Sequence, residues 1–82
     1  MAVFMGIHKI PADMTADQVK EGYGKYKTAA TAKGLTPRHA NFSMEKGFAY
    51  CETEAASAQE VRDAHADAEI PLEDVVEVVT VD

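Results

Sequence analysis

The residues able to hold a metal or move a proton fall in two places along the chain. Cys51, Glu52, Glu54 and His65 crowd one short stretch, and His8 stands near the start. Imidazole and thiolate suit divalent transition ions such as nickel or zinc, and imidazole beside carboxylate suits acid/base work on a small substrate. His8, Glu52, Cys51, Glu54 and His65 are therefore the candidate metal ligands. His8 with Glu52 or Glu77 is the candidate acid/base set, and no catalytic residue is assigned beyond it. Each candidate has a plain structural alternative. Free cysteine is among the most buried residue types, and a buried histidine can be held by a backbone carbonyl. Glu52 and Glu77 could equally be solvated or interface-paired charges. No CxxC, HExxH or phosphate-cradling glycine loop is present, so spacing alone selects no metal.

These residues need elements to position them. Residues 2–10 read as a strand with apolar residues on both faces, ended by Pro11. Thr15 and Gln18 have capping-box spacing and open a helix, with Val19, Tyr23, Tyr26 and Ala30 as its buried stripe and Gly34 as its stop. Strands follow at 38–45 and from Phe48 to Thr53, joined at Lys46-Gly47. Ser57 and Glu60 form a second capping-box pair. The helix behind them carries Val61, Ala64, His65 and Ala68 on one side and runs to about Glu69. Val75 to Val81 closes the chain as a strand. The order strand, helix, strand, strand, helix, strand predicts one α+β domain over residues 1–82. Its fold is a ferredoxin-like βαββαβ sandwich, a four-stranded antiparallel sheet with both helices on one face.

Register decides which candidates share a face. With Lys46-Gly47 as a two-residue turn, Glu45 lies opposite Phe48, and Ser43, Asn41 and His39 oppose Tyr50, Glu52 and Glu54. The face under the helices is then assigned Val3, Met5, Ile7, Ala40, Phe42, Met44, Ala49, Cys51, Val76 and Val78. The free face receives Phe4, His8, His39, Asn41, Phe48, Tyr50, Glu52, Val75, Glu77 and Val79. On this reading His8 and Glu52 are neighbours on the free face, while His65 faces the surface that holds Cys51. So apolar a free face marks an interaction surface, and the expected partner is a second copy of the chain, in a homodimer or higher oligomer.

Composition points the same way. An 82-residue chain with a single cysteine has no intramolecular disulfide, and a domain this small buries only about 60–65% of its extended surface. A partner subunit or a metal is the expected supplement. Fourteen acidic against eight basic residues give a net charge of −6, which disfavours nucleic acid as a partner. No apolar run reaches the ~18 residues of a membrane span, so no membrane partner is expected. A lone thiol without an export pattern suggests the cytoplasm.

The stretches Phe4-Met5-Gly6-Ile7-His8 and Tyr50-Cys51-Glu52-Thr53-Glu54-Ala55-Ala56-Ser57, with Ala58, Val61 and His65, resemble a family of small bacterial ferredoxin-like domains. That family was formerly of unknown function and has a described nickel-binding member. The resemblance implies the fold, a dimer, and nickel or another divalent transition metal as the bound ion. His8, Cys51, Glu54 and His65 match the family pattern. Gly6 stands where that pattern has an acidic residue, Gly22-Tyr23 where it commonly has Ala-His, Asn41 where it has an aromatic, and Glu52 where it has leucine. Glu52 is then either a replacement carboxylate or part of a cavity given to other chemistry. Three functions follow as expectations. One is a small dimeric metal-binding protein for storage or sequestration. Another is a dimeric isomerase or cyclase acting on an organic substrate. The last is an assembly module without a site.

Overall fold

Phe48–Ala55 sets the architecture by strict alternation. Ala49, Cys51, Thr53 and Ala55 are buried, and the residues between them are half-exposed. One side of this strand therefore lies against a core and the other does not. The computed structural model describes Met1 to Asp82 and has six elements: β1 (Ala2–Lys9), α1 (Ala16–Ala32), β2 (Thr36–Ser43), β3 (Phe48–Ala55), α2 (Ala58–Asp67) and β4 (Asp74–Val78). The strands form one sheet in the order β2-β3-β1-β4, every neighbouring pair antiparallel. This is the ferredoxin-like α+β fold. Both helices pack on the face that carries Phe4, Cys51, Ala55 and Val75, adding Tyr26, Ala30, Val61 and Ala64 to the core.

Local rules explain most boundaries. Thr15 accepts from the Gln18 amide while the Gln18 side chain accepts from the Thr15 amide, so the first capping box is complete. At α2 only half of the box forms. The Ser57 hydroxyl accepts from the Glu60 amide and donates to the Glu60 carboxylate rather than leaving it for the Ser57 amide. Strand β2 begins before Pro37, a position tolerated because β2 is an edge strand and bulges between Pro37 and His39.

The hairpin and two of the four strand faces differ from the sequence expectation. Ser43 pairs with Phe48, so the connection is the four residues Met44 to Gly47. Gly47 takes φ +76° and its amide reaches the Ser43 carbonyl at 2.8 Å, while the Lys46 amide donates to the Ser43 hydroxyl. The register moves by two residues, which leaves the faces of β2 and β3 as expected. In β1 and β4 the faces are exchanged. Phe4 pairs with Thr53, Gly6 with Cys51 and His8 with Ala49, so Phe4, Gly6 and His8 lie under the helices. Val75, opposite Gly6, joins them, and Val3, Met5, Ile7, Val76 and Val78 form the free face. The physical reason is room. A β-carbon at position 6 would come within 2.8 Å of the Cys51 sulfur and 3.3 Å of His65 Cε1, so only glycine fits beneath α2 there.

Both helices end in the same way. After α1 the Leu35 amide bonds to the Ala30 carbonyl and the Gly34 amide to Thr31, with Gly34 at φ +80°. After α2 the Ile70 amide bonds to His65 and the Glu69 amide to Ala66, with Glu69 at φ +59°. These are Schellman motifs, and the second places a bulky residue in the left-handed region that favours glycine. Glu69→Gly is therefore expected to raise stability by roughly 0.5–1 kcal/mol, the relieved strain exceeding the added unfolded-chain entropy. Urea unfolding midpoints of the two proteins check this, and a lower midpoint for the variant would refute it.

Candidate metal centre

The turn after α2 has a second consequence. It brings the Pro71 carbonyl to His8 on β1, at 2.9 Å from Nδ1. One turn back along α2, the Val61 carbonyl lies 2.7 Å from Nδ1 of His65. A carbonyl can only accept, so both Nδ1 atoms carry a proton and both Nε2 atoms present a lone pair. The two lone pairs converge on one atom: Cys51 Sγ lies 3.4 Å from His8 Nε2 and 3.4 Å from His65 Nε2. A thiol has one proton and can satisfy one of them at a time. Within the protein alone, the arrangement is one donor short.

Burial holds all three groups in their neutral forms. His65 is 1% exposed and Cys51 3% exposed. Burial pushes the Cys51 thiol up to about 11, with bonds to the Gly6 and Cys51 backbone opposing. It pushes His65 down to about 4 against the Val61 bond, with the nearby His8 adding to the fall. His8 is lowered as well, again by burial, with the Pro71 bond working the other way. Tyr26 stacks on His65 at 3.9 Å between ring centroids and hydrogen-bonds Thr53, so the imidazole is fixed from its face as well as its edge. Burial lifts the Tyr26 phenol to about 12, which keeps it a neutral hydrogen-bonding group.

The donor set fits a transition metal. The three ligand atoms lie within 4.8 Å of one another. Two neutral imidazoles and a thiol suit nickel, zinc, cobalt or copper far better than magnesium or calcium, which favour oxygen. Each imidazole also has the backbone carbonyl on its far nitrogen that metal-binding histidines use to fix tautomer and orientation. The cluster opens into a cavity of about 560 Å³ between α1 and the sheet, with Met14, Val19, Phe42 and Ile70 in its walls.

Two of the five candidate ligands do not join. Glu52 and Glu54 lie on the opposite face of β3 from Cys51, so neither carboxylate reaches the cluster. Glu52 instead pairs with His39 across the β2–β3 ladder, at 2.6 Å. The expected His8–Glu52 contact is thus absent, the two residues being on opposite faces of antiparallel strands. Glu77 pairs in register with Phe4, four residues along β1 from His8, or roughly 14 Å at strand rise. The acid/base set built on His8 with Glu52 or Glu77 therefore does not form. What the sequence did not expose was the role of Pro71, which acts through its carbonyl and gave no sign beyond ending a helix.

Fold and cluster together define a small ferredoxin-like domain with a histidine–cysteine–histidine set, buried at Cys51 and His65 and half-buried at His8, able to hold a metal. The profile of the family described as nickel responsive protein, SCO4226-like, matches residues 4–78, and the chain belongs to that family. It is similar to the crystal structure of SCO4226 from Streptomyces coelicolor A3(2). The TM-score is 0.87 over 99% of this chain and 100% of that one, at 23% sequence identity, a likeness that speaks for the fold. No curated protein matches the chain. No helix is long and apolar enough to cross a membrane.

The neutral histidines give the metal-free protein a pH dependence of definite sign. His65 falls from the ordinary 6.5 to about 4, so between those values the unfolded chain binds the proton that the fold refuses. Stability is complete above pH 6.5 and declines as pH drops toward 4, by about 3 kcal/mol from this group. His8 acts in the same direction. Urea unfolding of chelator-treated protein at pH 7 and pH 4.5 measures the loss. It is expected to shrink in His65→Gln, whose amide can still donate to Val61. An unchanged slope in that variant would remove His65 as the cause.

Proposed function

We propose that this protein binds nickel or a similar divalent transition metal through His8, Cys51 and His65, and serves to store or sequester it. One observation carries the reading: two imidazoles of fixed tautomer aim their Nε2 lone pairs at a single thiol, 3.4 Å away on each side. A bound cation would satisfy all three donors, as one thiol proton cannot. The family description, a nickel-responsive protein, supports nickel among the candidate ions. No carboxylate joins the three donors, Glu73 being the one acid in the cavity lining, and a set of two imidazoles and a thiol supports holding a metal. His8 and His65 are already neutral, and Cys51 alone has to lose a proton to act as a ligand.

Calorimetric titration with nickel tests the site. One ion per chain is expected. His8→Ala, Cys51→Ala and His65→Ala should each weaken binding on the order of 100-fold or more, since even outer partners of metal ligands cost 10–100-fold. Glu52→Ala and Glu54→Ala should leave binding unchanged. Cys51→Ser should also abolish thiolate-to-metal absorption. Full binding by the three cluster variants would overturn the reading.

We further propose a homodimer packed through the free sheet face. With Val3, Met5, Ile7, Val76 and Val78 on that face beside Phe48 and Tyr50, it is more apolar than the sequence reading assigned. Only thirteen residues of the isolated chain are buried, so a second copy would supply the missing core. Ile7→Lys places a charge on that face, opposite Tyr50 of β3, without touching the helices. It should convert a dimer to a monomer in light scattering at micromolar concentration. A monomeric wild-type protein would refute the proposal.

A further inference from the structure

The cavity is larger than a metal ion requires. A storage site needs room for one ion, whereas about 560 Å³ lies over the cluster, within the range of pockets that take small organic molecules. His8, Cys51 and His65 all line it, so the cavity reaches the donor atoms themselves. Its walls are mostly apolar side chains that are half-buried without closing on one another, among them Met14, Val19, Phe42 and Ile70. Three protein donors are one short of the four a tetrahedral ion takes: Glu52 and Glu54 lie on the far face of the sheet, and Glu73, the one carboxylate in the cavity lining, stands outside the three-donor cluster. An apolar cavity reaching a three-donor set fits a molecule that is apolar in its body and a donor at one end.

We propose that the cavity binds a small, mainly apolar organic molecule carrying one nitrogen or sulfur donor, which completes the ligand set of a metal held by His8, Cys51 and His65. This rests on the metal-binding reading above. Nitrogen and sulfur are named because the protein's own donors are of that kind, and an ion selected by them prefers the same class. Apolar contact with Val19, Met14, Phe42 and Ile70 supplies affinity, and the donor supplies orientation. Tyr23, half-buried in the same lining, offers the wall a polar edge.

The test uses the nickel-loaded full chain, imidazole and 4-phenylimidazole, followed by visible absorption. Both compounds have the same donor, and only one has a body to fill the cavity. The expected result is a spectral change with each, saturating at a concentration at least tenfold lower for 4-phenylimidazole. Val19→Trp fills the cavity from its wall and should take up nickel as the wild type does while losing that preference. Met14→Trp provides a second variant should the first not fold. Equal affinity for the two compounds, a preference that survives both tryptophan variants, or a spectrum that responds to neither compound would overturn the proposal and leave the metal site standing. Failure of the wild type to take up nickel would overturn both.

Discussion

Two backbone carbonyls determine what this structure can do. Pro71 and Val61 each accept from an imidazole Nδ1, and that choice of tautomer turns both Nε2 lone pairs onto Cys51. Neither carbonyl is placed there by accident. Val61 lies in the first turns of α2, where the His65 ring four residues later can reach its oxygen. Pro71 lies just beyond the Schellman turn, and its own lack of an amide leaves the carbonyl as its one polar backbone group. Without these two bonds the rings could rotate, and the thiol could settle with one of them. With them, the sulfur is held between two acceptors.

The rest of the core accommodates that arrangement. Gly6 leaves the volume that the sulfur and the His65 ring occupy, which no side chain at that position could do without displacing them. Tyr26 closes the other side of His65 and anchors itself on Thr53 of β3. Ala64, Ala55 and Val61 are wholly buried beside them, small enough to let α2 lie close to the sheet. The weak point is Glu69, whose left-handed backbone is required to bring Ile70 and Pro71 round. Stability is conceded at one exposed residue so that a carbonyl arrives at His8.

The order of elements was legible because its cues are local. Capping residues, Pro11, Gly34 and the alternation of Phe48 to Ala55 each act over a few positions. The meeting of Cys51 and His65 was legible too, since α2 follows β3 directly and packs back on it. The face of His8 was not. Val3, Met5 and Ile7 are as apolar as Phe4, Gly6 and His8, so periodicity could not choose between the two sides of β1. The choice was made by the steric need for a glycine opposite Cys51, a tertiary fact. Gly6 itself carried the information, but it read as a lost carboxylate rather than as space. Glu52 misled only because His8 was read onto its face: as the strand neighbour of Cys51 it points away from the face that His8 shares with Cys51.

That last point bears on the chemistry the centre can support. Adjacent positions on a strand cannot both serve one site, so Cys51 on the core side excludes Glu52 and allows only Ala49 and Thr53 as its strand neighbours. The centre is therefore poor in oxygen donors and dry at its base. In such surroundings the unpaired charge of a thiolate is costly, which is why burial raises Cys51 to about 11. A cation between the three donors would reverse that cost, because it supplies the countercharge where the thiolate would form. The same low-dielectric pocket that keeps the thiol protonated in the free protein would then strengthen its hold on a metal, with release of one proton per ion taken up.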